Sequence, residues 1–336
     1  MGGNATGSDA TVVSTAGNAS AREATSAFAA IDIGSNSTNL LIVDSKGVEI
    51  VREVNVTALG EGVGKTGTLS QIAMDRTMAV ISRYATLVRQ HGARLAITGT
   101  AACRMASNTT DFFARVQQTT AVSPRLLSAS DEANLAWHGA VASLSPIDGV
   151  TMVVDIGGAS TELTIGDSRD GAAVVHDSVS LPYGVVTLTE AELHGDPPRP
   201  EELANAISIV SDAVDNAVIE RPALGDAARV VGVAGSIVTI AAVELGLQHF
   251  DATRLHEMVL SRAAAEDVFR TLATEALKDR IHNPGLPLER AGVIVGGCCL
   301  LVAIMRRLHL DHIIVSTHNL LDGVIAELRA TTGPVA

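Results

Sequence analysis

Two stretches of the chain carry residues that could do chemistry, and they have the same form. Met152 to Gly166 reads MVVDIGGASTELTIG: an apolar run ends in Asp155, turns through Gly157 and Gly158, and returns to alternation after Thr161. The pattern predicts strand, loop, strand. Because the two glycines lack Cβ atoms, backbone N–H groups there can converge on phosphate oxygens beside the Ser160 and Thr161 hydroxyls. Asp155, at the strand end, suits a water-mediated Mg²⁺ ligand. Taken alone, the stretch also fits a tight hairpin whose Asp satisfies its own turn. Ala29 to Asp44, AAIDIGSNSTNLLIVD, repeats the order of apolar strand, Asp-Ile-Gly, small hydroxyl residues and second strand. A duplicated unit fixes architecture in a way a single motif does not. Two such hairpins imply two facing domains, with Asp32 and Asp155 opposed across a cleft.

Three further places offer candidates. Thr98 to Asn108, TGTAACRMASN, ends a strand in small residues and puts Arg104 where a helix begins, as a phosphate clamp or a surface arginine. Ser130, Asp131 and Glu132 open a helix running to Val141. An N-cap serine with acids in the first turn is ordinary helix chemistry, so by itself Glu132 reads as a dipole-complementing carboxylate and Trp137 as core. Val230 to Val243, VVGVAGSIVTIAAV, is a third strand, glycine turn and helix. Gly235 and Ser236 at its turn could take an anion or nucleotide, or serve close packing. Two glycine patterns mislead. Gly62, Gly64 and Gly67 match GxGxxG but lack the strand-end acid about 20 positions on, where Arg83 and Tyr84 sit mid-helix. Gly64-Lys65-Thr66 imitates a P-loop, but the required first glycine is Leu59.

The elements that must position these residues follow from spacing. Helices are expected over Leu69–His91, 201–220 and 319–328, strands over 48–58, 94–98 and 313–316, and a polar proline-rich loop over 195–200. The uncharged run Ala291 to Met305 falls short of the roughly 20 residues a membrane span needs, and reads as a strand end and buried helix. At 336 residues the chain is long enough for two domains. The division expected is a disordered tail over 1–27, one domain over 28–145, a second over 146–317, and a helix over 318–330 packing back on the first.

Composition narrows the functions. Apolar residues make up 47% and aromatics 2%, which excludes wholesale disorder and argues against base-stacking platforms. A net charge of −13 opposes nucleic-acid binding, so a phosphate site here needs local arginines and a divalent metal. Cys103, Cys298 and Cys299 lack the spacing of a disulfide framework or zinc site, and fit a reducing cytoplasm. No membrane or nucleic-acid partner is expected.

From Phe28 to Leu328 the chain resembles the exopolyphosphatase and guanosine pentaphosphate phosphohydrolase family, a branch of the actin-like ATPases. The resemblance rests on AAIDIGSNSTNLLIVD, GEGVGKTGTLS, TGTAACRMASN, SASDEANL, VVDIGGASTEL, SLPYGVVTLTE, VVGVAGSIVTIAAV and STHNLLDGVIAEL, in that order. It implies an α/β fold of two ribonuclease H-like domains facing across a cleft, and a hydrolase acting on inorganic polyphosphate or guanosine pentaphosphate. It places the catalytic glutamate on Glu132, metal carboxylates on Asp155 and Glu162, and the phosphate arginine on Arg104. The phosphate loops fall on Gly34, Ser35, Asn36 and Ser37, and on Gly157, Gly158, Ser160 and Thr161. It further implies Mg²⁺ or Mn²⁺ and a homodimer. Two positions depart from the family pattern, Ala129 in place of Gly and Asn134 in place of Arg. A small-molecule kinase of the actin fold and a nonhydrolytic sensor of guanosine phosphates or polyphosphate are the alternative functions.

Overall fold

The computed structural model describes residues 27–145, 149–169 and 172–331. The tail expected over 1–27 lies outside the described residues except for Ala27, which is buried.

The first sheet contains β1 (Phe28–Ile33), β2 (Ser37–Val43), β3 (Glu49–Val56), β4 (Arg94–Gly99) and β5 (Arg125–Leu126). The second contains β6 (Thr151–Ile156), β7 (Thr161–Arg169), β8 (Ala172–Leu181), β9 (Arg229–Val233), β10 (Val259–Ser261) and β11 (His312–Val315). Their strand orders are β3-β2-β1-β4-β5 and β10-β11-β9-β6-β7-β8. In both, an antiparallel three-strand meander is followed by strands parallel to its first member, so the second sheet repeats the first and adds β10 at its edge. This is the duplicated ribonuclease H-like plan that the paired hairpins implied.

Register carries the repeat down to single residues. Asp32 lies opposite Asn39 in the first hairpin, and Asp155 lies opposite Glu162 in the second. Side chains alternate across a strand, so each opposed pair shares one sheet face.

One face of the first sheet packs Ala29, Ile31, Ile33, Leu40 and Ile42 against the helix Gln71–Gln90, which uses Met74, Met78, Ile81 and Tyr84. In the second half the helix Ile294–Arg307 is buried from Ile294 through Met305. The strand end expected near Ala291 does not form. Gly296 and Gly297 lie inside the helix, where their missing side chains let it close onto Thr189 and Ser236.

The remaining two faces are covered crosswise. The helix Ala129–Val141 follows the first sheet in the chain but packs on the second, where Trp137 and Ala140 meet Val153, Val231 and Val233. The Trp137 Nε1–H donates to the Thr151 carbonyl at 3.1 Å. The helix Leu320–Ala330 follows the second sheet but packs on Phe28, Ala30, Leu41 and Val43 of the first. The two helices meet at Gly139 and Gly323. A Cβ on the first would strike the Asn319 carbonyl oxygen, and on the second the Leu135 carbonyl. The 129–141 helix is capped two residues earlier than expected: the Ser128 hydroxyl, not that of Ser130, accepts from the Asp131 N–H at 3.1 Å.

Candidate active site

Between the halves lies a cleft of about 610 Å³, lined from one side by Asp32, Gly34 to Ser37, Asn39 and Glu132 and from the other by Asp155 to Ser160 and Ala234 to Ser236. The two loops close alike. Gly34 N–H donates to the Ser37 carbonyl and Gly157 N–H to the Ser160 carbonyl, each at 3.0 Å. They also touch one another, since a Cβ on Gly158 would lie 2.8 Å from Asn36 N and 2.9 Å from Ser35 Cβ. The GxGxxG decoy folds as a short turn, Val63–Thr66, between left-handed Gly62 and Gly67, and none of its glycines lines the cleft.

Acidic charge is concentrated here. Asp32 accepts from Thr98 Oγ1 at 3.0 Å, yet burial, and then repulsion from Glu132, raises its pKa to about 7. Glu162 is raised to about 7 by burial and then by Glu132, although Ser160 and Ser180 hydroxyls favour its charged form. Asp155 is pushed well above the usual carboxylate range by burial and then by Glu162, Glu132 and Asp32. Its carboxylate has no hydrogen-bond partner among the described residues. Glu132 is likewise raised by burial, against the pull of Arg104, whose Nη1 lies 2.5 Å from Glu132 Oε2. Four carboxylates thus gather near Arg104. Like charges that repel in a low-dielectric site favour either protonation or a cation.

The donor set fits a hard divalent cation held loosely. Among the described residues no three Asp, Glu, His or Cys side chains converge into a complete metal cage. Mg²⁺ characteristically takes one or two carboxylates, keeps several waters and shares substrate phosphate oxygens. Asp155, unpartnered and facing the cleft, suits that role, with Glu162 directly behind it and held by Ser180 Oγ at 2.9 Å.

Not every candidate residue faces the cleft. The Thr161 hydroxyl donates to the Tyr183 carbonyl at 2.7 Å and its side chain is buried, so it anchors β7 rather than reaching for an anion. Ser35 Oγ is engaged by the Ala102 N–H at 3.1 Å. Arg104 lies in the short helix Ala101–Met105, occupied by Glu132 and by the Leu127 carbonyl at 3.0 Å. Gly235 does approach the cleft, because the Arg290 guanidinium lies where a Cβ would be. Beside it Ala234 holds a left-handed φ of 66°, the kind of backbone strain that collects at functional sites.

Several cleft residues were not singled out from the sequence. Arg290 lines the cleft; its guanidinium makes no hydrogen bond or ion pair with the described residues and is held below the usual guanidinium pKa by burial. Asn39 stands beside Asp32, with its Oδ1 buried and unpartnered. A signal for Asn39 existed: it follows Asp32 at the same interval at which Glu162 follows Asp155.

Comparison with known proteins decides the family. Residues 49–331 match the Ppx/GppA phosphatase family. The chain belongs to that family. Among Ppx/GppA relatives it is 32% identical over 317 residues to Exopolyphosphatase 2 of Mycobacterium tuberculosis, covering 89% of this chain and 98% of the relative. It is 29% identical over 310 residues to the guanosine-5'-triphosphate,3'-diphosphate pyrophosphatase of Photobacterium profundum, where it covers 90% of this chain and spans 59% of that longer protein. The crystal structure of an exopolyphosphatase-like protein superposes with a TM-score of 0.85 at 27% identity, covering 91% of this chain and 99% of that one. The Aquifex aeolicus Ppx/GppA family member gives 0.75 at 27% identity, with 92% and 99% covered. The duplicated sheets and the cleft between them are therefore the Ppx/GppA fold, an α/β architecture as the sequence implied.

Proposed function

We propose that this Ppx/GppA phosphatase hydrolyses the terminal phosphoanhydride of inorganic polyphosphate with Mg²⁺ or Mn²⁺ bound at Asp155 and Glu162. The supporting observation is the cluster of Asp32, Glu132 and Asp155 in the cleft, with Glu162 behind Asp155, set against two glycine loops. When bound, the metal neutralises charge developing on the phosphoryl oxygens. Loop N–H groups between Gly34 and Ser37 and between Gly157 and Ser160, the two glycine N–H groups that close the loops excepted, hold the end phosphate in line for attack. Glu132 takes a proton from water, whose oxygen forms a bond to the terminal phosphorus as the bridging oxygen departs on the shortened chain. Burial raises the basicity of Glu132 for that task, and Arg104 fixes its orientation while offering charge to the phosphate. Arg290, unpaired at the cleft wall, contributes a further cation for the phosphate chain.

Guanosine pentaphosphate is a second substrate that one observation favours. Val54 and Val56 on one wall, with Val238 and Phe250 on the other, give the cleft an apolar stretch for which a bare phosphate chain has no use. A cytoplasmic setting is supported by three buried free thiols, and among the described residues no helix is long and apolar enough to cross a membrane.

The test is phosphate release from polyphosphate with added Mg²⁺, Mn²⁺ or chelator, followed by product length. Expected are metal-dependent release, a weaker metal response in Asp155→Ala, and gradual shortening of the whole chain population, since a net charge of −13 leaves few contacts beyond the cleft. Full turnover in excess chelator would refute the metal role. Absence of release with either metal would refute the activity.

A further inference from the structure

One polar group of the cleft has no part in the chemistry above. Arg52 on β3 sends Nη2 and Nη1 to Asp322 at 2.7 and 3.3 Å, while its Nε engages Glu49 at 2.7 Å. Asp322 also accepts from the Asn319 N–H at 2.8 Å and pairs with His318 Nδ1 at 2.9 Å. Its two oxygens are therefore fully engaged, and its position in the first turn of the 320–330 helix makes it a rigid post. His318 is held by that post through Nδ1 and packs against His256 with ring centroids 4.9 Å apart and planes tilted by 60°. Its Nε2 has no hydrogen-bond partner among the described residues. The ring lines the cleft and its side chain is 37% exposed.

The placement matters because the register is known. Asp32, Asn39 and Val54 form one cross-strand row, and Ala30, Leu41 and Arg52 form the next on the same face. Two residues along a strand is about 7 Å, so the Arg52 row lies one step beyond the carboxylates. An imidazole fixed at one nitrogen and open at the other, in a cleft otherwise rich in carboxylates, is built to meet an anion when protonated.

We propose that His318, positioned by Asp322 and Arg52, is a second anion-binding position of the cleft, taking a substrate phosphate that lies beyond the one being removed. The proposal rests on the phosphoanhydride reading given above. His318 meets Asp322 on its own segment and His256 from the loop before β10; Arg52 from β3 reaches Asp322 and is itself paired with Glu49, and Glu257 acts on His256. His256 Nδ1 accepts from the Thr317 N–H at 3.4 Å, and burial, then His318, lowers its pKa.

The experiment is equilibrium binding by calorimetry in the Glu132→Gln background, which suppresses turnover, with Mg²⁺ at pH 6. The probes are orthophosphate, a polyphosphate long enough to fill the cleft, and guanosine 5'-triphosphate 3'-diphosphate. His318→Phe keeps the ring contact with His256 and removes the nitrogens. His318→Gln keeps a donor toward Asp322 and serves if the first variant does not fold. A charge-assisted hydrogen bond predicts that His318→Phe weakens polyphosphate binding about tenfold at pH 6 and that orthophosphate binding is unchanged. A matching loss for the guanosine compound shows that the position accepts a phosphate from either source, and a loss for one compound alone names that source. Equal affinities at pH 6 for both long probes, or an equal loss for orthophosphate, would overturn the proposal. A failure of the hydrolysis reading shows itself separately, as absent phosphate release by the unsubstituted protein.

Discussion

Asp32 makes the charge balance of the cleft measurable. Its folded pKa is about 7 against an ordinary 3.8, because it is buried and because Glu132 repels it. A raised folded pKa means that the native state binds the extra proton between those values. The stability associated with it is complete below pH 3.8 and is lost as pH rises through 7. Integrated for one group, the loss between pH 5 and pH 8 is about 2.5 kcal/mol. In Asp32→Asn the amide oxygen can still accept from Thr98 Oγ1, so the hydrogen bond stays while the titration goes. Urea unfolding in chelator at pH 5, 6, 7 and 8 should show the unsubstituted protein losing about 2.5 kcal/mol relative to the variant across that window. His138 and His256, whose pKa values are lowered by burial, add stability as pH rises through the histidine range, but they do so equally in both proteins. Release of repulsion on Asp155 acts in the same direction as the Asp32 term. Added Mg²⁺ should remove most of the loss by binding the native carboxylates. Parallel stability curves for the two proteins in chelator would refute the assignment of a raised Asp32 pKa.

Glu132→Gln should cut turnover by about 10²- to 10⁴-fold with substrate binding retained, as expected for loss of a general base, and steady-state kinetics beside binding titration checks both halves. Arg290→Met should raise KM about tenfold through loss of a charged contact to the phosphate chain, and an unchanged KM would make Arg290 a packing residue. Gly139→Ala should lower stability by about 1–3 kcal/mol, read by urea unfolding, because its new Cβ meets the Asn319 carbonyl.

The two hairpins were legible because a strand ending in Asp-Ile-Gly and resuming as an alternating strand has a period of two and no helical rival. Once the duplication was seen, opposition of Asp32 and Asp155 in one cleft followed. Which face Thr161 takes was not legible: one step along β7 separates a hydroxyl aimed at the loop from one bonded to Tyr183. In SASD, Ser128 and Ser130 are equally good caps by chemistry, and only the backbone geometry at Ser128 selects it. The strand expected near Ala291 failed because an apolar run without polar alternation does not separate a buried strand from a buried helix. Arg52 and Asp322 are 270 residues apart, and no local pattern announces a pair joined only by the crosswise packing of the helices.

That crosswise packing has a consequence for how the chain acquires its structure. The first sheet is made early, yet the face formed by Phe28, Ala30, Leu41 and Val43 receives its cover only when residues 320–330 arrive. During synthesis an incomplete chain therefore holds this face exposed, while the helix that comes next in order, 129–141, is destined for a sheet not yet translated. Neither half can bury all of its own apolar surface, so completion of the two cores is a single late event. A nascent chain stalled before residue 320 should remain protease-sensitive across β1 and β2, and extension through residue 330 should protect both halves together.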